Sequence, residues 1–162
     1  MTIAELLLTD LAWELPATRK VIAAAPADKY TWSPAPDLRT ILWNVNHLAD
    51  IAGWTPMILD TTELDLAPVG GPTFTPAALS DPAEVLAKFD ANTAATHQAL
   101  AGVTDEKMAE LWSLKAAGQT LLTMNKGDCL RKWITSHMSH HRAILVTYLR
   151  LAGIKMGSIF EE

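Results

Sequence analysis

The sequence predicts an all-α fold, a four-helix bundle, and three observations carry that expectation. Four stretches repeat apolar residues at helical spacing, a long connection without period separates the second stretch from the third, and strand-like alternation is almost absent. At 162 residues a single domain spanning 1–162 is expected.

The first helix opens at Thr2, where "TIAE" has the form of a capping box, with Thr2 as N-cap and Glu5 closing the reciprocal hydrogen bond. Ile3, Leu7, Leu8, Leu11, Leu15 and Ile22 form its apolar stripe. Pro16 is expected to kink or break it, because a mid-helix proline has no N–H to give and its ring crowds the preceding turn. The proline-rich stretch "APADKYTWSPAPDLRT" ends this element, and Asp37 is the expected cap of a second helix running from Leu38 to about Leu59. On that helix one stripe runs Trp43, His47, Ile51, Trp54, Ile58 and a second runs Ile41, Val45, Leu48, Ala52, so His47 lies inside a wide apolar arc.

Residues 60–80 mix Pro, Gly and Thr and read as a long crossover. A third helix restarts with Asp81 as N-cap, Pro82 at the first helical position and Glu84 two residues on, and Gly102 stops it. A short helix and a less regular linker follow, and the segment from Trp112 to Leu122 also allows a short hairpin. The last helix runs from Met124 or Asp128 to Ala152, capped by Gly153.

Bulk composition narrows the function. Thirteen basic against eighteen acidic residues give a net charge of −5 with no basic cluster, which argues against a nucleic-acid partner. One cysteine, Cys129, excludes an intrachain disulfide framework and reads as a small core residue in a reducing compartment. The first twenty residues lack a basic leader, and no run reaches the ~18 apolar residues of a membrane span, so a cytoplasmic protein without membrane attachment is expected. A 49% hydrophobic composition leaves an apolar surplus that points to an interface between copies.

The chemistry concentrates in "ITSHMSHHRAILVTYLRLAG". Four residues advance a helix by about 40° beyond a full turn and by about 6 Å, so His137 and His141 project from one face and can grip one ion. They continue the stripe Leu130, Ile134, His137, His141, Leu145, Tyr148, directed toward the interior. His140 shares a line with Trp133, His137 and Ile144, and spacing leaves a His137/His140 pair equally open. Two imidazoles from one helix and one from a facing helix make the three-nitrogen set of an open divalent site, and His47 is the natural third donor. His97, between Ala94, Ala95 and Gln98, reads as a helix-surface residue. Buried imidazoles need a metal, hydrogen-bond partners or a proton-transfer role. Met138 follows His137, so the metalloprotease form with a built-in glutamate base is absent.

Two segments together, "YTWSPAPDLRTILWNVNHLADIAGW" and "HMSHHRAILVTYLRLAG", resemble the DinB family of the DinB/YfiT-like superfamily. The family's end pattern maps onto His137, His141, Arg142, Leu149, Arg150 and Gly153. The resemblance implies an up-down-down-up bundle, a homodimer, and a divalent metal held by His47, His137 and His141, with nickel or zinc first and iron or manganese next. It favours His141 over His140, leaving His140 at the rim or in support, and makes Arg142 a structural ion-pair partner. Activities in the family include transfer of low-molecular-weight thiols and a related isomerisation. The expected function is thus a metal-dependent thiol S-transferase or hydrolase acting on a small molecule. The alternatives are a non-catalytic metal-binding or stress-response dimer whose ion is structural, and a bundle with no metal. Trp43, Trp54 and the crossover carrying Phe74 are candidate pocket walls, and Asp50, three residues after His47, is a candidate to orient an imidazole. Plain core packing for the tryptophans and an exposed carboxylate for Asp50 are the competing expectations.

Overall fold

A computed structural model describes residues 1–76 and 78–159, so Ala77 in the crossover and the last three residues lie outside the described part. Helix α1 (Ile3–Ala23) starts at the expected capping box: Glu5 N donates to Thr2 Oγ1 at 3.2 Å and Thr2 N donates to Glu5 Oε2 at 2.7 Å. Pro16 does not break it. Pro16 and Ala12, whose carbonyl loses its helical donor there, both face solvent, where water can satisfy the freed oxygen.

The second helix begins later than expected and ends sooner. Thr40, not Asp37, caps α2 (Ile41–Ile51), its Oγ1 accepting from Trp43 N at 3.2 Å. A separate α3 (Trp54–Asp60) follows. Two residues explain the interruption. Pro56 has no N–H for the carbonyl of Ala52, which instead accepts from Thr96 Oγ1 at 2.6 Å. Gly53 packs so tightly on Asn92 that a Cβ there would lie 2.5 Å from Asn92 Cγ, while Asn92 Nδ2 donates to Ala49 O at 2.8 Å. Side chains of α4 (Pro82–Leu100) thus cap the end of α2 and tie the two helices together. Asp81 caps α4 as expected, and Gly102 at φ 76° ends it.

The all-α, four-helix-bundle expectation is overturned by a three-stranded mixed sheet among the described residues. Strand β1 (Glu63–Asp65), inside the crossover, pairs in parallel with β2 (Leu111–Ala116), which pairs antiparallel with β3 (Gln119–Asn125). The hairpin turn consists of Ala117 and Gly118, both left-handed at φ 51° and 76°. That is the mirror-image geometry matching the twist of two-residue hairpins, though alanine is a poor marker for it. Asp65 supports the turn by accepting from Gly118 N at 2.8 Å. A short α5 (Asp105–Ala109) precedes the sheet, and Asp105 Oδ1 accepts from Ile3 N at 2.9 Å, which secures the start of α1.

After β3 the chain enters α6 (Lys126–Leu130), a π-helical turn (Arg131–Ser136) and α7 (His137–Leu151), closed by Gly153 at φ 86°. Helices α1 and α2 each pack on both α4 and α7. Their shared core includes Leu7, Leu11, Val45, Leu48, Phe89, Met138, Leu145 and Leu149. No helix is long and apolar enough to cross a membrane.

A buried ion pair joins α7 to α1. Arg142 of α7, 5% exposed, reaches Glu14 of α1: Nη1 lies 2.5 Å from Glu14 Oε2 and also donates to Glu14 O at 3.1 Å and Thr18 Oγ1 at 3.2 Å. Ser139 Oγ donates to the same carboxylate at 2.8 Å. Truncating one partner leaves the other charge poorly compensated, so Arg142→Met is expected to destabilise the fold by about 3 kcal/mol, read from the urea unfolding midpoint.

Candidate metal centre

Helix α2 carries His47 to the face that packs on α7, opposite His137 and His141 one turn apart. All three rings are half-buried at the edge of the core, because the most deeply buried face of α7 is the adjoining line Met138, Arg142, Leu145, Leu149. The interior placement read from spacing is therefore a placement at the core's rim. His47 Nε2 stands 3.2 Å from His137 Nε2, and one nitrogen from each ring lies within 4.8 Å of the other two. His140 is exposed, edge-on to His141 at 4.9 Å between ring centres, and outside this group. His97 is exposed on α4, far along the chain from the cluster. Geometry thus gathers His47, His137 and His141, and resolves the choice between His140 and His141 that spacing leaves open.

The rings are enclosed by indoles. Trp43 stacks on His47 with centres 4.4 Å apart and 27° between planes, and Arg39 lies 5.1 Å over the centre of Trp43. Trp54 meets His47 and His137, each at 5.6 Å, and Trp133 meets His137 at 5.4 Å. Trp43 and Trp54 thus pack directly against the histidine rings. Trp133 is absent from the pocket walls expected from the sequence, although its position four residues before His137 was the available signal. Asp50 pairs through Oδ1 with Lys88 of α4 and makes no hydrogen bond to a histidine among the described residues, so it neither orients an imidazole nor stands exposed.

Burial, then the neighbouring charges of His141, His137 and Arg39, pushes the His47 pKa down to about 3. Burial followed by His137 and His140 pushes His141 down to about 4, and burial followed by His140 lowers His137. All three rings are neutral at neutral pH, the state in which a ring nitrogen offers its lone pair to a metal.

The donor set fits a divalent transition metal. Two nitrogens bound to one tetrahedral ion at ordinary zinc bond lengths stand roughly 3.3 Å apart, close to the His47–His137 separation. Nδ1 of His137 and Nδ1 of His141 are buried without a partner among the described residues; on His137 it is Nε2, not this atom, that faces His47. No carboxylate or thiolate joins the three rings there. Cys129 is buried, and burial pushes its thiol up to about 11, so it stays protonated and is no nucleophile.

Space adjoins the cluster on two sides. A cavity of about 260 Å³ includes His47, Trp43 and Asn46 and lies under Pro76 and Ala78 of the crossover. A larger cavity of about 410 Å³ shares Trp54 and Trp133 with the histidine surround.

Fold and centre together define a class: a helical domain with a small flanking sheet, in which two packed helices converge three neutral imidazoles beneath indole walls. The comparison with known families gives that class its name. The DinB superfamily matches the chain over residues 10–145, and the chain belongs to it. Among solved structures, a DinB-like protein from Bacillus cereus is 19% identical and superposes with a TM-score of 0.66 over 94% of each chain, a likeness of fold. No curated protein matches the chain.

A histidine whose folded pKa lies below its unfolded value binds fewer protons folded than unfolded, so its contribution is full above the unfolded pKa and lost as pH falls toward the folded one. Chelator-treated protein is expected to show a melting temperature that declines steadily from pH 6.5 toward about 4. A flat profile across that window would show that the rings are not held neutral.

Proposed function

We propose that the protein holds one divalent transition metal through His47, His137 and His141, and acts as a metal-dependent enzyme of thiol S-transferase or hydrolase type on a small molecule. The observation that carries this reading is the set of three neutral, converging imidazoles with no fourth protein ligand among the described residues. Three nitrogens leave a coordination position for substrate or water, whereas a purely structural ion usually has a closed set of four protein ligands. Imidazole donors suit nickel, zinc and iron, and the family resemblance puts nickel or zinc first, with iron or manganese as alternatives. When bound, the metal supplies a positive centre that stabilises a thiolate or hydroxide at neutral pH.

The protein's own groups supply position and exclusion. Trp43 holds the His47 ring by stacking, and Trp54 and Trp133 shield His137 from bulk water. The cavity beside His47 gives a small molecule an approach under the crossover. Asn46 closes its far side: its amide donates to Leu79 O at 2.9 Å and its carbonyl accepts from Leu79 N at 2.9 Å, pinning the end of the crossover to α2.

His47→Ala, His137→Ala and His141→Ala are each expected to lose most of the bound metal, while His97→Ala keeps it. Elemental mass spectrometry of protein purified without chelator reads the ratio directly, and full metal in the His47 variant would dismantle the triad. With metal in place, transfer of a low-molecular-weight thiol to an electrophilic acceptor is expected to fall by at least about a hundredfold on its removal. Equal rates with and without metal would leave the structural-ion reading.

The proposal includes a homodimer. Helix α1 leaves Leu6 and Trp13 exposed at 45% and 69%, seven residues apart on one face. Sedimentation at micromolar concentration is expected to give twice the 17.6 kDa chain mass.

A further inference from the structure

The larger cavity is a site in its own right. Trp54 and Ile58 of α3, Leu64 and Leu114 of the sheet, and Leu66 and Phe74 of the crossover line it, and Phe74, half exposed, marks its open side. Trp112, whose Nε1 donates to Thr61 Oγ1 at 3.0 Å, presents only hydrocarbon to this space. Among the described residues no charged side chain lines it. Folded proteins keep few interior voids larger than a water molecule, and apolar space offers water no partners, so about 410 Å³ with such a lining calls for an occupant. Phe74, half exposed at the mouth, adds apolar surface that an occupant would remove from water.

The lining also selects the occupant. A charged group would enter without a counter-charge, and a peptide would bring backbone N–H and C=O groups that find no partners. The volume lies in the range of small-molecule sites. Trp133 Nε1 is buried without a partner among the described residues, but it is covered by protein and not open to the cavity, so the lining offers little reward for polar atoms on an occupant.

We propose that this cavity binds a small, neutral, mainly apolar molecule, of the size of a bicyclic aromatic or a medium-length acyl group. Trp54 and Trp133 face the cavity and also touch His137, so the occupant lies one indole away from the histidines. In the setting of the proposed metal enzyme it is the apolar half of the substrate; that assignment rests on the metal reading, and the binding itself does not.

The test is a titration with the neutral probe N-phenyl-1-naphthylamine, followed by probe emission and by quenching of tryptophan fluorescence, since Trp54, Trp112 and Trp133 line the cavity. Saturable one-to-one binding is expected in both chelator-treated and zinc-loaded protein. Leu66→Glu, which sets a carboxylate in the lining, is expected to weaken it about tenfold or more, and Phe74→Ala roughly threefold. Melting temperature and circular dichroism establish that both variants are folded; Phe74, exposed at the mouth, carries little folding risk. No saturable binding, or binding equally strong in both folded variants, would overturn the proposal. Probe binding by a protein that takes up no metal would overturn the metal reading alone.

Discussion

The packing of α2 on α7 is the constraint on which the rest of the molecule depends. It buries Ile41, Val45 and Leu48 from one helix with Met138 and Leu145 from the other, and the same contact sets His47 against His137 and His141. Rotation of α7 matters more than its distance, because one residue of helical rotation, about 100°, would carry either histidine out of the cluster. The Arg142–Glu14 pair fixes that rotation from the adjoining face: Arg142 follows His141 directly, and its guanidinium has three acceptors on α1. A buried ion pair is seldom retained for net stability alone, since well-packed apolar residues serve as well. Here it sets the angle at which a helix presents its histidines.

Local signals made the helical layer legible. The Thr2 capping box, the Asp81-Pro82 start and the Gly102 and Gly153 stops each act within one turn, so a sequence can announce them without knowing its partners. The three histidines were readable for a related reason: i,i+4 spacing on one helix and an apolar arc on another define faces, and faces pack. Ruling out His140 needed either the family resemblance or the fold itself.

The features missed, or seen only as an allowed hairpin between Trp112 and Leu122, are set by distant contacts. The break between α2 and α3 uses a local signal, Gly53 with Pro56, but its meaning comes from Asn92 and Thr96 on α4. The sheet has weak alternation because only Trp112 among its strand residues is fully buried, and its turn places Ala117 in a conformation that asparagine or glycine normally marks. Strand β1 has no signature of its own, being three residues within a Pro- and Gly-rich crossover. Yet these least legible elements line much of the large cavity, so the part of the molecule that local pattern describes worst is the part that selects what sits beside the histidines.

The π-helical turn before His137 gives one long helix two separate faces. An α-helix advances about 100° per residue and a wider π turn advances less, so over one such turn the helix lags by roughly one residue. Upstream, α6 packs on α3, α5 and strands β2 and β3, with Cys129 lining the large cavity; downstream, α7 directs Met138 and Leu145 into the main core. The turn acts as a phase shifter between two packing registers, and Trp133 sits within it. One inserted residue thus lets a continuous rod serve two layers that a regular helix could not face at once, and leaves the histidines in the register of the second.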